Sequence, residues 1–198
     1  YTDTFLKAGL DTALNSTKAA LFSYSEKKDN PDGIRIGIAP FAKHLQKQYP
    51  VEFMEQVIQI LDSKGYDIYI FGGGKNEKVY AEEMETKFNS VQSMIGKMSL
   101  REEIDTIAGL DLMLTMDSGN MHIAALTGVK IVSVWGATHP FAGFAPFTTK
   151  DKSFFIHLED LACRPCSVFG SKPCYKKTLE CLNDIKPEKI TEVIESVI

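Results

Sequence analysis

A chain of 198 residues that is 44% hydrophobic and 24% charged has the composition of an ordinary soluble globular domain. Its formal net charge of -4 gives no electrostatic basis for binding nucleic acid, and no apolar run approaches the ~20 residues a membrane helix needs. The opening YTDTFLKAGLDTAL lacks the basic-then-apolar layout of a secretory signal. It also lacks Met, so the chain is either a piece of something longer or a trimmed form of a complete protein.

Residues 1–33 predict a helix, a polar stretch over Asn15–Lys18 and a turn at NPDG. From residue 34 strand-like and helix-like segments alternate. IRIGIA is a short β-branched strand. VEFMEQVIQILDSKG follows Pro50 with Met54, Val57, Ile58 and Leu61 on one helical stripe and Gly65 as its C-terminal stop. YDIYIF is a second strand closed by three glycines, and Tyr80, Met84 and Phe88 stripe the helix after it. SVQSMIG is a weaker third strand. SLREE is a capping box, with Ser99 and Glu102 exchanging hydrogen bonds at the start of a helix that buries Ile104, Ile107 and Ala108. LDLMLTM and KIVSVWG are two further strands, and Trp135 reads as a core residue at a sheet end. Residues 137–186 read as loop-rich, and a last helix follows Pro187.

Strands and helices of these lengths in alternation predict βαβ units and a Rossmann-like parallel sheet with helices on both faces. The strand runs are apolar throughout, as expected when both faces are covered. In such a sheet ligands bind beyond the carboxyl ends of the strands, and polar residues collect there. Lys43, His44 and Lys47 follow the first strand, Glu77 the second, and MDSGNMH the fourth. Asp117 sits where a helix N-cap belongs, so Ser118, Gly119 and Asn120 would present unpaired N–H groups to an anion, phosphate above all. His122, one turn beyond Ser118, would face the same mouth. GGGKN lacks the Gly-Lys-Ser/Thr ending of a P-loop and the third glycine of a dinucleotide fingerprint. No Asp-x-Asp pair offers a metal-diphosphate clamp, and His139 and His157 read as structural.

Cys163, Cys166, Cys174 and Cys181 are spaced C-x2-C-x7-C-x6-C in one late segment. This clustering argues against a disulfide-stapled secreted domain and for the cytoplasm. A structural zinc is one reading of the four; free buried thiols or a redox-labile pair are the others.

KQYP, FGGG with Glu77, MSL, and above all DSGNMHIAALTGVKIVSVWGATHP resemble the C-terminal half of the lipopolysaccharide heptosyltransferases, glycosyltransferase family 9. The family run of D-[ST]-G-x-x-H-x-A-A, a strand, then G-x-T-x-P stands here as Asp117, Ser118, Gly119, His122, Ala124, Ala125, Gly136, Thr138 and Pro140. The resemblance covers about 34–190 and implies one half of a GT-B fold. Residues 1–33 would then be the end of an upstream region and its linker, and 34–198 the nucleotide-sugar-binding domain, with a cysteine-rich loop over 160–182 and a C-terminal helix. It implies an inverting transferase that needs no cofactor for its chemistry. ADP-heptose would be the donor and a lipid-linked saccharide the acceptor, at the cytoplasmic membrane face with peripheral membrane contact. The catalytic base would lie in an upstream domain, with none in this stretch. Lys43 and Lys47 would meet the diphosphate or sugar, Glu77 the ribose, and Met98 the adenine through its main chain. Ser118 and Gly119 would bind the diphosphate, with Asp117 and His122 shaping the sugar end. Tyr49 replaces the family's usual Trp, and Ala42 and Lys43 stand where hydroxyl residues are common. A UDP-sugar enzyme or epimerase-like relative, and a non-catalytic nucleotide-binding module, are the alternatives.

Overall fold

The computed structural model describes Lys7 and residues 33–198; the helix, polar stretch and most of the turn expected over 1–33 lie outside the described residues. Six strands, β1 (Arg35–Ala39), β2 (Asp67–Ile70), β3 (Val91–Ser93), β4 (Leu112–Met116), β5 (Lys130–Val134) and β6 (Ser153–Ile156), form one sheet. Its order is β3-β2-β1-β4-β5-β6, and every neighbouring pair is parallel. Over residues 33–198 six α-helices accompany it: α1 (Val51–Ser63), α2 (Lys75–Lys87), α3 (Leu100–Ala108), α4 (Gly119–Thr127), α5 (Glu180–Asn183) and α6 (Pro187–Val197). Among the described residues no helix is long and apolar enough to cross a membrane.

The central strands read as apolar runs because alternate residues enter two different cores. Ile36, Ile38, Leu112, Leu114, Met116, Val132 and Val134 pack on one face with Met54, Val57, Ile58 and Leu61 of α1 and Ile190 and Ile194 of α6. Met113 and Ile131 enter the other face with Ile107 of α3, Met121, Ala124 and Ala125 of α4, and Trp135. The four α1 residues are fully buried, each contributing about 1.5–3 kcal/mol by removal from water. Gly65, at φ +76, follows the last residues of α1 and turns the chain into β2. At α3 the capping box forms as expected: the Glu102 N–H donates to Ser99 Oγ at 3.4 Å, and the Ser99 N–H donates to the Glu102 carboxylate at 2.7 Å.

Two features of the 137–186 segment differ from a plain loop. SFFI forms the edge strand β6, in register with β5 from Ile131↔Ser153 to Val134↔Ile156. Its Phe155 is exposed and only Ile156 is buried, so the run carries neither an alternating nor a fully apolar pattern. The short helix α5 buries Cys181 and Leu182.

Candidate functional site

In the order 3-2-1-4-5-6, connections leave β1 and β4 in opposite directions, and the crevice beyond their carboxyl ends is the expected ligand position. The chain leaving β1 is held against this edge by Tyr49. Its hydroxyl donates to the Ile185 carbonyl at 2.7 Å, its N–H approaches Met116 Sδ at 3.3 Å, and burial pushes the phenol well above its ordinary pKa. A 3-10 turn over Leu45–Lys47 precedes this anchor and places Lys47 across from the end of β4.

Asp117 is buried, 3% exposed, and one carboxylate oxygen takes both of its contacts. Lys47 Nζ lies 2.8 Å from Oδ2, and the Thr138 hydroxyl donates to the same oxygen at 2.8 Å. Asp117 is therefore not the N-cap of α4. Ser118 is, with φ -143 and ψ 175, because the lysine and the threonine draw Asp117 inward. No side chain caps this terminus; the Ser118 hydroxyl instead meets Thr115 Oγ1 at 3.3 Å. The first N–H groups of α4 thus face outward with the helix dipole behind them. A Cβ built on Gly119 would meet nothing within 4 Å. His122 stands on the same helix with part of its surface open to solvent; the buried part of its ring lowers its pKa, Asp117 opposes this, and Lys47 adds to it.

Lys47 has further neighbours that the sequence did not announce. Its ammonium lies 5.8 Å from the Phe144 ring centroid. A Cβ on Gly170 would fall 2.5 Å from Lys47 Cγ and Cδ, so glycine there, at φ +72, lets the 167–170 turn close over the lysine stem. Glu77, in the first turn of α2, accepts the Gly73 N–H at 2.7 Å, and a Cβ on Gly72 would lie 2.6 Å from its Oε2. Met98 is half-buried, with its sulfur 3.8 Å from the Thr106 hydroxyl. The structure therefore unites Lys47, Asp117, Ser118, Gly119 and His122 at the β1/β4 crevice. Glu77 and Met98 stand on the β2/β3 side of the same edge. Lys43 is exposed and makes no ion pair with the described residues.

The four cysteines are free and line one small pocket together with Arg164. Burial pushes the Cys181 thiol up to about 11 and raises Cys166, whereas backbone N–H groups, Leu179 first, lower Cys174. Among the described residues no three His, Cys, Asp or Glu groups come together as a set that could hold a metal. The Arg164 guanidinium and the Lys176 ammonium share this pocket with the thiols.

His157 and His122 make stability depend on pH. Arg164 Nη1 lies 2.8 Å from His157 Nδ1, and a guanidinium can only donate, so this ring is neutral with its proton on Nε2. Burial first and Arg164 second hold its pKa below the ordinary value. Both rings resist protonation when folded, whereas in the unfolded chain they take a proton near pH ~6.5. Stability is full above that pH and falls as the pH drops through it. Melting curves between pH 7.5 and 5.5 (above ordinary carboxylate titration) should show the melting temperature falling, and His157→Asn, which keeps an acceptor but cannot charge, should flatten the fall. An unchanged slope in that variant would remove His157 from the account.

The family model for glycosyltransferase family 9 (heptosyltransferase) matches residues 3–171. Lipooligosaccharide heptosyltransferase 2 of Campylobacter jejuni is 34% identical over 140 residues, covering 69% of this chain and 42% of that protein. Its Haemophilus influenzae namesake is 31% identical over 128 residues, covering 62% and 36%. The chain therefore spans less than half the length of these curated relatives. Among solved structures, E. coli ADP-heptose lps heptosyltransferase II superposes with a TM-score of 0.67 at 20% identity, covering 94% of this chain and 53% of that one. The E. coli heptosyltransferase WaaC with ADP-2-deoxy-2-fluoro heptose gives a TM-score of 0.63 at 20% identity, covering 84% and 44%. With the family model matched across most of its length, the chain belongs to glycosyltransferase family 9.

Proposed function

We propose that this chain is the donor-binding half of an inverting GT-B heptosyltransferase and takes ADP-heptose in the β1/β4 crevice. The observation that carries the reading is the uncapped start of α4 with the Lys47–Asp117 pair beside it. Outward N–H groups, a helix dipole and an ammonium form an anion site of the kind a diphosphate fits. The relatives named above are heptosyltransferases, and one of the similar structures holds an ADP-heptose analogue.

In this reading the diphosphate lies over Ser118 and Gly119, with Lys47 and Lys43 toward the phosphates or sugar. Asp117 and His122 shape the sugar end. Glu77 exchanges its Gly73 bond for the ribose hydroxyls, and Met98 borders the adenine with its main chain. As the sugar–phosphate bond breaks, negative charge grows on the departing diphosphate, where α4 and Lys47 are already aimed at it. The base that deprotonates the acceptor hydroxyl belongs to an upstream domain, for which residues 1–33 supply the linker, and 34–198 is the donor domain. The acceptor is a lipid-linked saccharide met at the cytoplasmic face of the membrane.

Thermal shift and calorimetry with ADP-, GDP- and UDP-sugars test this. ADP-heptose should bind best, and the chain alone should transfer no sugar until the upstream half is supplied. Preference for a UDP-sugar would name a different enzyme of the same architecture, and silence toward all three would end the donor reading.

A further inference from the structure

Arg164 is one of three arginines in the chain and sits in the cysteine loop, outside the donor-site roles assigned above. Its side chain turns inward and uses the whole fork. Nε donates to the Gly136 carbonyl, Nη2 to the Thr138 carbonyl at 2.9 Å, and Nη1 to the Leu158 carbonyl at 3.1 Å and His157 Nδ1 at 2.8 Å. Gly136 and Thr138 lie just beyond β5, and Leu158 just beyond β6. Carbonyls where strands leave a sheet have lost their ladder partners and need donors when half-buried. A planar guanidinium with five N–H groups meets several at once in fixed directions, which an ammonium does not.

Thr138 joins this clamp to the crevice. Its carbonyl accepts from Arg164, while its hydroxyl donates to Asp117 Oδ2, the oxygen that also holds Lys47. The same β5 exit touches the Lys47 turn a second time, the Ala137 N–H donating to the Gln46 carbonyl at 2.9 Å. From Arg164 to Lys47 the contacts are therefore continuous, and each link has a defined donor and acceptor.

We propose that Arg164 is a positioning residue of the donor site: by fixing the β5 exit it sets the Thr138 hydroxyl, and through it the Asp117 carboxylate that aims Lys47 at the start of α4. Its consequence for ligand affinity rests on the donor reading, whereas the positioning is a property of the ligand-free protein. Two measurements keep these apart.

The first is the Lys47 side-chain resonance in ligand-free protein carrying 13C-labelled lysine, assigned by its loss in Lys47→Arg. Arg164→Met should move it, Thr138→Val should move it too, and Arg164→Lys should move it less. The second is ADP affinity by calorimetry, which should fall about tenfold in Arg164→Met or in Thr138→Val. In the double variant it should fall about as far as in either single one, because both cut the same chain. A Lys47 resonance that stays put in a folded Arg164→Met protein overturns the proposal. Single losses that multiply to about a hundredfold overturn it as well. If Arg164→Met does not fold, Arg164→Lys decides on the same two readouts. A wild-type chain that ignores ADP, while its Lys47 signal still responds to Arg164→Met, sinks the donor reading and leaves the positioning role standing.

Discussion

Asp117→Ala is expected to lower the melting temperature by about 6–20 °C. The side chains of Asp117 and Lys47 are 4% and 15% exposed, so removing the carboxylate strands an ammonium that is largely out of water. Breaking one partner of such a buried pair costs about 3–5 kcal/mol, and a domain of this size loses roughly 2–4 °C per kcal/mol. The Thr138 hydroxyl loses its acceptor in the same step. Asp117→Asn keeps an acceptor for Thr138 and should fall less. Lys47→Met should be milder still, because the stranded carboxylate retains the Thr138 hydroxyl as a donor. Adding Lys47→Met to Asp117→Ala should return part of the loss, since no unpaired charge is then left behind. The three single variants should differ in binding as well. Lys47→Met removes a charge-assisted contact to phosphate, about 1.5–3 kcal/mol, so ADP affinity should drop by roughly one to two orders of magnitude. Scanning calorimetry of the four proteins checks the stability order. A change under about 2 °C for Asp117→Ala would mean that water reaches the pair.

That pair also marks where the sequence stops being readable. The α1 stripe and the Ser99–Glu102 box are local patterns, and the fold carries them over unchanged because a helix face or a cap is decided within one or two turns; the strand runs all pair, the third trimmed to Val91–Ser93. DSG is different. Asp and Ser both favour the N-cap position, so local preference leaves a choice between Asp117 and Ser118. The choice is made by Lys47 and Thr138, 70 residues before and 21 after Asp117. Arg164 is further out of reach: nothing in CRPC says that its fork will collect carbonyls from two strand exits. The one local hint is an arginine in a chain that otherwise strongly favours lysine, and only its geometry gives that a meaning. β6 was missed for a simpler reason, since an edge strand of four residues with an exposed Phe155 shows neither period. The cysteines stand at the other end of the scale. Their spacing announces that four thiols share one pocket, but a spacing carries no information on side-chain orientation, which is what a metal set requires.

Two glycines of the family run separate binding from folding. A Cβ on Gly119 points into open space, and its φ lies outside the left-handed region, so the backbone accepts any residue there. Gly119 is also the first residue of α4. A valine at that place sets two methyl groups over N–H donors that would meet the diphosphate, so Gly119→Val should cost at least about tenfold in ADP affinity, or 1.4 kcal/mol. Its effect on stability should stay near a helix-propensity change, below ~1 kcal/mol. Gly136 is the reverse case. A Cβ there would fall 2.4 Å from the Gln46 carbonyl oxygen and 2.8 Å from Leu182 Cγ, and the first of these is backbone that cannot swing aside. Gly136→Ala should therefore cost about 1–3 kcal/mol or more in stability by overpacking. It should disturb ADP binding only as far as it pushes the Lys47 turn away from Asp117. Calorimetric titration and melting curves on both variants distinguish the two outcomes. Full ADP affinity in a folded Gly119→Val protein would move the phosphate cradle away from α4.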